Sequence, residues 1–450
     1  MVELEQIKVS VIIPVYNAEI FLREALDTVI NQTLREIEII CVDDGSEDAS
    51  LSILLEYEKS DKRIRVLKQE NQYAGAARNY GLKNAHGKYV VFWDSDDLFE
   101  LFALEKLYKK SEQDKADICI CSARQLDNET DELIDRDVYL VNRWRPKNTP
   151  FSKKDAAERI FNFAANVPWN KMFLREFVQK NQLEFQEIKQ ANDTYFILMS
   201  LFLAERITYV NERLITYRIN NNMSLTGKAS ETVFCAYESY LATLETLLQY
   251  EEFQNDEVVK RSFMNRSMGG FFHSLYSQKD FEAFKRLYEM LVSEGFAKFG
   301  IIDVNSSDGF YTKWHYDDLQ KMLTLSPEQF LLWKVDESRW ELIVKNVAIG
   351  KLKREQTKLK SQCNELKTKN SESEIKYNTV KTENSKIKAE QSKLKSDCSE
   401  LKAKNDKLMK QLDKLRTEKN RLRNSISVRV ALKLRKIITL NGKIKFNKRK

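Results

Sequence analysis

Cysteine and histidine are scarce in this chain of 450 residues, which has six of the first and three of the second. The cysteines stand at 41, 119, 121, 235, 363 and 398, with no CxxC pair and no histidine cluster beside them. That disfavours the common zinc frameworks. Cys41 and Cys119 lie in apolar runs and read as buried thiols, in keeping with a reducing cytosol. Long apolar runs are missing as well. No stretch approaches the roughly 18 to 20 residues needed to cross a bilayer. The opening MVELEQIKVSVIIP lacks the basic start and small-residue cleavage site of a secretory signal. No GxGxxG follows the first strand pattern, which disfavours a dinucleotide-dependent dehydrogenase. These absences lead to the expectation of a cytoplasmic globular protein.

What is present divides in two. From Lys351 onward the chain carries 31 basic and 11 acidic residues, whereas the first 350 residues carry 43 basic and 56 acidic. The net charge of +7 therefore describes neither the acidic body nor the basic C-terminal segment.

Strand and helix patterns alternate through the first 125 residues. KVSVIIPVY, IEIICVDDGS, RIRVLKQE and KYVVFWDSDD read as strands, and AEIFLREALDTVINQTL, a segment from about Ser50, and AGAARNYGLKNAHG as helices. Such alternation predicts an α/β fold with a doubly wound, Rossmann-like, mostly parallel sheet. Ligands bind outside the carboxyl ends of the strands in such sheets, and PVYN, DDGS and DSDD all fall at that edge. In DSDD the apolar run from Tyr89 to Trp93 ends in Asp94, Asp96 and Asp97, whose mutual repulsion calls for a counter-charge. A divalent cation supplies one. The plainer reading makes Asp97 the cap of a helix running from about Glu100.

In order and spacing, PVYN, DDGS, ARN and DSDD resemble the motifs of family 2 glycosyltransferases of the GT-A fold, over about residues 7 to 225. The resemblance implies a hexosyltransferase moving sugar from a nucleotide-sugar donor, expected to be a UDP-sugar, to a hydroxyl. The acceptor would be a glycan, a lipid-linked molecule or a protein, in cell-surface polysaccharide or glycoconjugate synthesis. It implies Pro14 and Tyr16 beside the nucleobase and Asp44 on its imide N–H, with Asp43 adjacent and able to make that contact instead. Arg78 falls in the stretch lining the nucleotide-sugar pocket. Packing for Tyr16 and a surface ion pair for Arg78 are the plainer alternatives. DSDD matches the DxD motif, which holds Mn²⁺ or Mg²⁺ against the diphosphate because hard cations favour carboxylate oxygen. Asp96 is the first ligand by this match, Asp94 lies near the ribose or metal, and Asp97 is a second ligand or the helix cap. In QANDTYFILMSLFLAERI, Asp193 matches the general base that takes the acceptor proton, with Asn192 where the family usually has Glu. Helix capping is again the alternative. An inverting reaction is implied. Trp169, Asn170 and Lys171 resemble the acceptor-side segment, and Tyr217 and Arg218 the return strand, without firm roles. DESRW at 336 only superficially matches the QxxRW of processive synthases, since Asp336 replaces Gln.

Beyond this, aliphatic residues recur every seven positions from Leu352 to Leu422, broken only at Ser373. Gln356, Cys363, Asn370, Tyr377, Asn384, Gln391, Cys398, Asn405 and Leu412 follow four residues later. The pattern predicts a long coiled coil of about 105 Å that pairs two chains in parallel as a homodimer. A single solvated helix is the alternative. TKLKSQCNELKTKN at 357 recurs as SKLKSDCSELKAKN at 392, a sign of duplication. From Asn420 on there are 11 basic residues and no acidic one. SVRVALKLRKII there can form an apolar face flanked by Arg and Lys, suited to an anionic membrane surface and a peripheral place on the inner face of the cell membrane. Nucleic acid is disfavoured as a partner by the acidic body. The expected domains are 1–125 (nucleotide-sugar-binding half), 126–227 (acceptor-binding half), 228–345 (helical), 346–424 (coiled coil) and 425–450 (basic amphipathic tail). A degenerate transferase domain kept as a coiled-coil scaffold is the non-enzymatic alternative, which the intact Asp44, Asp96 and Asp193 disfavour.

Overall fold

The computed structural model describes residues 7–220, 232–302, 306–379 and 384–424. The basic tail expected over 425–450 lies outside the described residues. Strands β1 (Val9–Val15), β2 (Ile37–Asp43), β3 (Ile64–Lys68) and β4 (Tyr89–Phe92) alternate with helices α1 (Leu22–Ile30), α2 (Ser50–Ser60) and α3 (Tyr73–Lys83). The four strands pair in parallel in the order β3-β2-β1-β4. Their near-continuous apolar sequences follow from cover on both faces. Val9, Val11, Ile13 and Val15 share a core with Leu22, Leu26 and Val29 of α1. Ile12, which points the other way, meets α3 at Gly81, where a Cβ would stand only 2.5 Å from Ile12 Cγ2.

Five further strands complete the sheet: β5 (Leu98–Phe99), β6 (Ile118–Asp127), β7 (Glu132–Asp135), β8 (Lys171–Leu174) and β9 (Ile207–Ile219). β8 lies antiparallel between β4 and β6, β6 runs parallel to β9, and β7 pairs with β6 off the main path. The sheet is thus mixed, and strands from both expected halves share it. Residues up to Leu275, with Glu282–Gln320, form one compact unit.

The site-forming crevice has a local cause. β1 has β2 on one side and β4 on the other, the point where strand order reverses. Pairing with β4 ends at Ile12 opposite Phe92, with the Trp93 amide donating to Ile12 O at 3.0 Å. Pro14 has no N–H with which to continue that ladder. β1 stays paired to β2 as far as Val15 opposite Asp43. The chain after β4 is therefore released from β1 just where Asp94 begins a turn.

Gly75, in α3, fixes a second boundary of the crevice. A Cβ there would lie 2.0 Å from the Gln186 carbonyl oxygen, and the Gln186 amide donates to Asn192 O at 3.1 Å. Close approach at Gly75 thus seats the segment that leads to Asp193. Gly75→Ala is expected to lower stability by about 1–3 kcal/mol through overpacking. Thermal denaturation checks this, and an unchanged melting temperature would show that the segment is not held there.

The second compact unit joins Tyr276–Phe281 to the described residues from Lys321 onward. Ser326 and Gln329 form a reciprocal cap, with Gln329 N donating to Ser326 Oγ and Ser326 N donating to Gln329 Oε1. Pro327 follows in the first helical position, where its missing N–H costs nothing. The helix then runs from Pro327 to Thr379. A second helix spans Asn384–Asn424. Gln356 bonds Met409 and Cys363 meets Cys398, so the two helices run antiparallel within one chain. The expectation was one uninterrupted rod; within this chain the two arms lie against each other instead. A heptad series fixes which residues are apolar, and here the second arm of the same chain covers the first. The break at Ser373 separates two leucine series, each able to cover the other.

Candidate active site

The loops after β1 and β2 are sewn together. Asn17 takes a left-handed backbone conformation, with φ 49°. Its amide donates to Ser46 Oγ at 3.2 Å and its Oδ1 accepts from Glu47 N at 2.8 Å. The Ala18 amide donates to Ser50 Oγ and the Glu19 amide to Asp48 Oδ2. Pro14 is buried in β1, whereas Tyr16 is 44% exposed at its end, which rules out core packing as the role of the tyrosine. Asp43 and Asp44 are both buried. Asp44 Oδ1 accepts from Gln69 Nε2 at 2.7 Å and from Gln72 N at 2.9 Å. Burial still lifts this carboxyl above its ordinary range against those two donors. Asp43 Oδ1 is buried without a hydrogen-bond partner.

At the end of β4, Arg78 supplies a counter-charge from within the protein. Its Nη2 donates to Asp94 Oδ1 at 2.7 Å and its Nη1 to Asn192 Oδ1 at 2.8 Å. The guanidinium also lies over the Phe185 ring at 5.4 Å. With 7% exposure, Arg78 is a buried bridge and not a surface ion pair. Asp97 is fully buried, and its Oδ1 accepts from the Arg218 amide of β9 at 3.0 Å while Oδ2 has no partner. Burial, reinforced by the charges of Asp96 and Asp94, pushes its carboxyl well above the usual range. The helix expected from Glu100 starts instead at Ala103, behind Phe102 and without a side-chain cap. Asp97 is therefore not a helix cap, because its carboxylate is turned toward β9. Asp96 is partly exposed in the turn.

These residues suit a hard cation. Their donors are carboxylate oxygens, one of them buried and unpartnered at Asp97. Among the described residues no three His, Cys, Asp or Glu converge as a preformed metal cluster.

Asp193 precedes the helix Thr194–Leu203, yet its side chain makes no capping bond, so the capping alternative fails. Burial lifts its carboxyl to about 6, with Asp94 adding to the rise while Arg78 and Lys171 oppose it. Lys171 is itself buried, and its Nζ donates to Ala165 O and Val167 O at 2.7 Å and to Asn170 Oδ1 at 2.8 Å. Burial, with Arg266 nearby, lowers this ammonium to about 7. Lys171 thereby gathers the loop that carries Trp169. That indole stacks on Tyr217 at 5.2 Å and meets Tyr139 at 5.1 Å. Burial raises both phenols, and Asp97 raises them further; Tyr217 adjoins Arg218, whose amide bonds Asp97 of the aspartate turn. Tyr139 carried no signal in the sequence. It is brought in from DRDVYLVNRW, a stretch without strand or helix period, by the bond from Asn170 Nδ2 to its carbonyl at 3.2 Å.

A family model described as Glycosyl transferase family 2 matches residues 10–181. EpsH of Bacillus subtilis, a protein named as a glycosyltransferase, is 33% identical over 254 residues, which span 55% of this chain and 72% of EpsH. The chain belongs to glycosyl transferase family 2. The cholesterol galactosyltransferase of Borreliella burgdorferi is 31% identical over 261 residues, 55% of this family 2 chain and 70% of that protein. The crystal structure of S. aureus TarS 1–349 in complex with UDP aligns at a TM-score of 0.49 and 21% identity, covering 66% of this chain and 88% of that one. The protein is a glycosyltransferase. The family match includes Pro14, Tyr16, Asp43, Asp44, Arg78, Asp94, Asp96, Asp97 and Lys171, whereas Asp193 lies beyond it.

Proposed function

We propose that this glycosyltransferase transfers a hexose from a UDP-sugar to a hydroxyl acceptor, with metal dependence and with inversion at the anomeric carbon. The observation that supports this best is Arg78, which joins Asp94 of the donor-side turn to Asn192, the neighbour of Asp193. Donor-side carboxylates and a base candidate are thereby held in one crevice. Pro14 and Tyr16 flank the nucleobase, and Asp44, oriented by Gln69 and Gln72, accepts its imide N–H with Asp43 alongside. Asp96 and Asp94 would hold Mn²⁺ or Mg²⁺ on the diphosphate, and Asp97 fixes the turn against β9. When bound, the cation supplies Lewis-acid neutralisation of the charge that develops on the leaving diphosphate.

Asp193 takes the acceptor proton as the hydroxyl oxygen attacks the anomeric carbon opposite the departing group. One such displacement inverts the configuration. The acceptor is a glycan, lipid-linked or protein hydroxyl, and the relative named cholesterol galactosyltransferase favours a lipid among these. Among the described residues no helix is long and apolar enough to cross a membrane. The basic tail would hold the enzyme on the anionic inner face of the cell membrane, beside such an acceptor.

The reading has a pH signature. A base works only when ionised, and burial puts the Asp193 carboxyl at about 6. kcat/KM should therefore rise with pH through about 6 and be lost below it, since that ratio reports the free enzyme's essential groups. A pH–rate profile still flat down to pH 4 would remove Asp193 from the role of base.

A further inference from the structure

We propose that Cys363 and Cys398 form a dithiol site in the C-terminal helical unit, which a low-molecular-weight disulfide closes into an intrachain Cys363–Cys398 bond. Their sulfurs stand 2.9 Å apart across the two antiparallel helices. Both residues are partly buried at the seam, close enough for small side-chain rotations to bring the sulfurs into bonding geometry.

The internal repeat shows that this meeting is not accidental. TKLKSQCNELKTKN and SKLKSDCSELKAKN carry their cysteines at the same place, and the fold lays one copy against the other. The groove at this point is lined by equivalent pairs: Glu365 and Glu400, Leu366 and Leu401, Lys369 and Lys404. Two antiparallel copies of one sequence are related by a local two-fold axis, and equivalent residues touch only where that axis passes. The cysteines occupy that place.

The chemistry of the surroundings differs from that of the thiols in the sheet. Burial raises Cys41, Cys119 and Cys121 well above the ordinary thiol range, which keeps them as inert thiols. At Cys398 the neighbouring thiol raises the first ionisation, while Lys402 and Lys367 act against that rise. Closure proceeds by two exchanges. One thiolate attacks a sulfur of the reagent, R–S–S–R, forming a mixed disulfide and expelling RS⁻. The second protein thiolate then attacks the protein sulfur of the mixed disulfide and expels the second RS⁻. The protein gives up two protons and two electrons, and the reagent leaves as two RSH.

The test uses the full chain at low micromolar concentration with oxidised glutathione, followed by alkylation under denaturing conditions, peptide mapping and a non-reducing gel. Alkylatable thiols should fall from the six of the sequence to four. The mapped link should join Cys363 to Cys398, the intact mass should drop by about 2 Da as two hydrogens leave, and the protein should run as a monomer. Cys363→Ser should leave one stable glutathione adduct on Cys398 and no link. A parallel two-chain seam would instead set Cys363 against Cys363 of a second copy, so disulfide-linked dimers as the main product would overturn the proposal. So would six thiols still open to alkylation, or separate adducts on both cysteines of the unmodified sequence.

Discussion

Asp96→Asn is expected to abolish sugar transfer and to weaken donor binding in Mn²⁺. Asp94 is already compensated by Arg78, and Asp97 is buried against the Arg218 amide. Asp96 is partly exposed in the turn, where a donor diphosphate with its cation can reach it. Asparagine keeps the size and removes the charge, so the diphosphate loses its anionic anchor in the protein. Metal assistance contributes several kcal/mol of transition-state stabilisation, which corresponds to a loss on the order of 10³-fold or more in rate. Steady-state rates and calorimetric titration of the donor check the two halves of this result. Full activity of the variant, or undiminished activity of the unmodified enzyme in EDTA, would sink the metal assignment.

Asp193→Asn should behave differently. Loss of a general base typically lowers the rate by about 10² to 10⁴, and donor affinity should stay near its original value because the base acts on the acceptor proton. The variant should also fold normally. The Asp193 side chain does not cap the helix it precedes, and the Arg78 bridge runs through Asn192, which is untouched. Single-turnover rates beside donor titrations separate the effects. A fall in donor affinity equal to the fall in turnover would make Asp193 a structural residue.

How much of this was legible in the sequence depends on the range of the interaction. The four parallel strands announced themselves because each is a short apolar run covered on both faces, and their polar ends fell at one edge. Asp94, Asp96 and Asp97 were conspicuous for the same local reason. The bridge from Arg78 to Asn192 spans 114 residues, and no periodicity encodes it. Asp97 looked like a helix cap because a cap is a local device, yet its partner is the amide of Arg218, 121 residues away. The seven-residue repeat marked a set of candidate seam positions. It could not say whether a second chain or the second copy of the repeat would cover that seam, since both satisfy the same pattern. Tyr139 was invisible because the contacts that hold it beside Trp169, from Asn170, Ala165 and Gln125, are long-range and leave no local pattern.

On the proposed reading, the crevice between β1 and β4 performs cation-dependent sugar transfer. Release of nucleoside diphosphate from a panel of nucleotide sugars, by the purified full chain with Mn²⁺ and a hydroxyl acceptor, tests it most directly. Release from a UDP-sugar is expected, and it should stop in EDTA and fall by at least about 10²-fold in Asp193→Asn. Release that persists unchanged in EDTA and in Asp193→Asn, or no release from any donor, would contradict it.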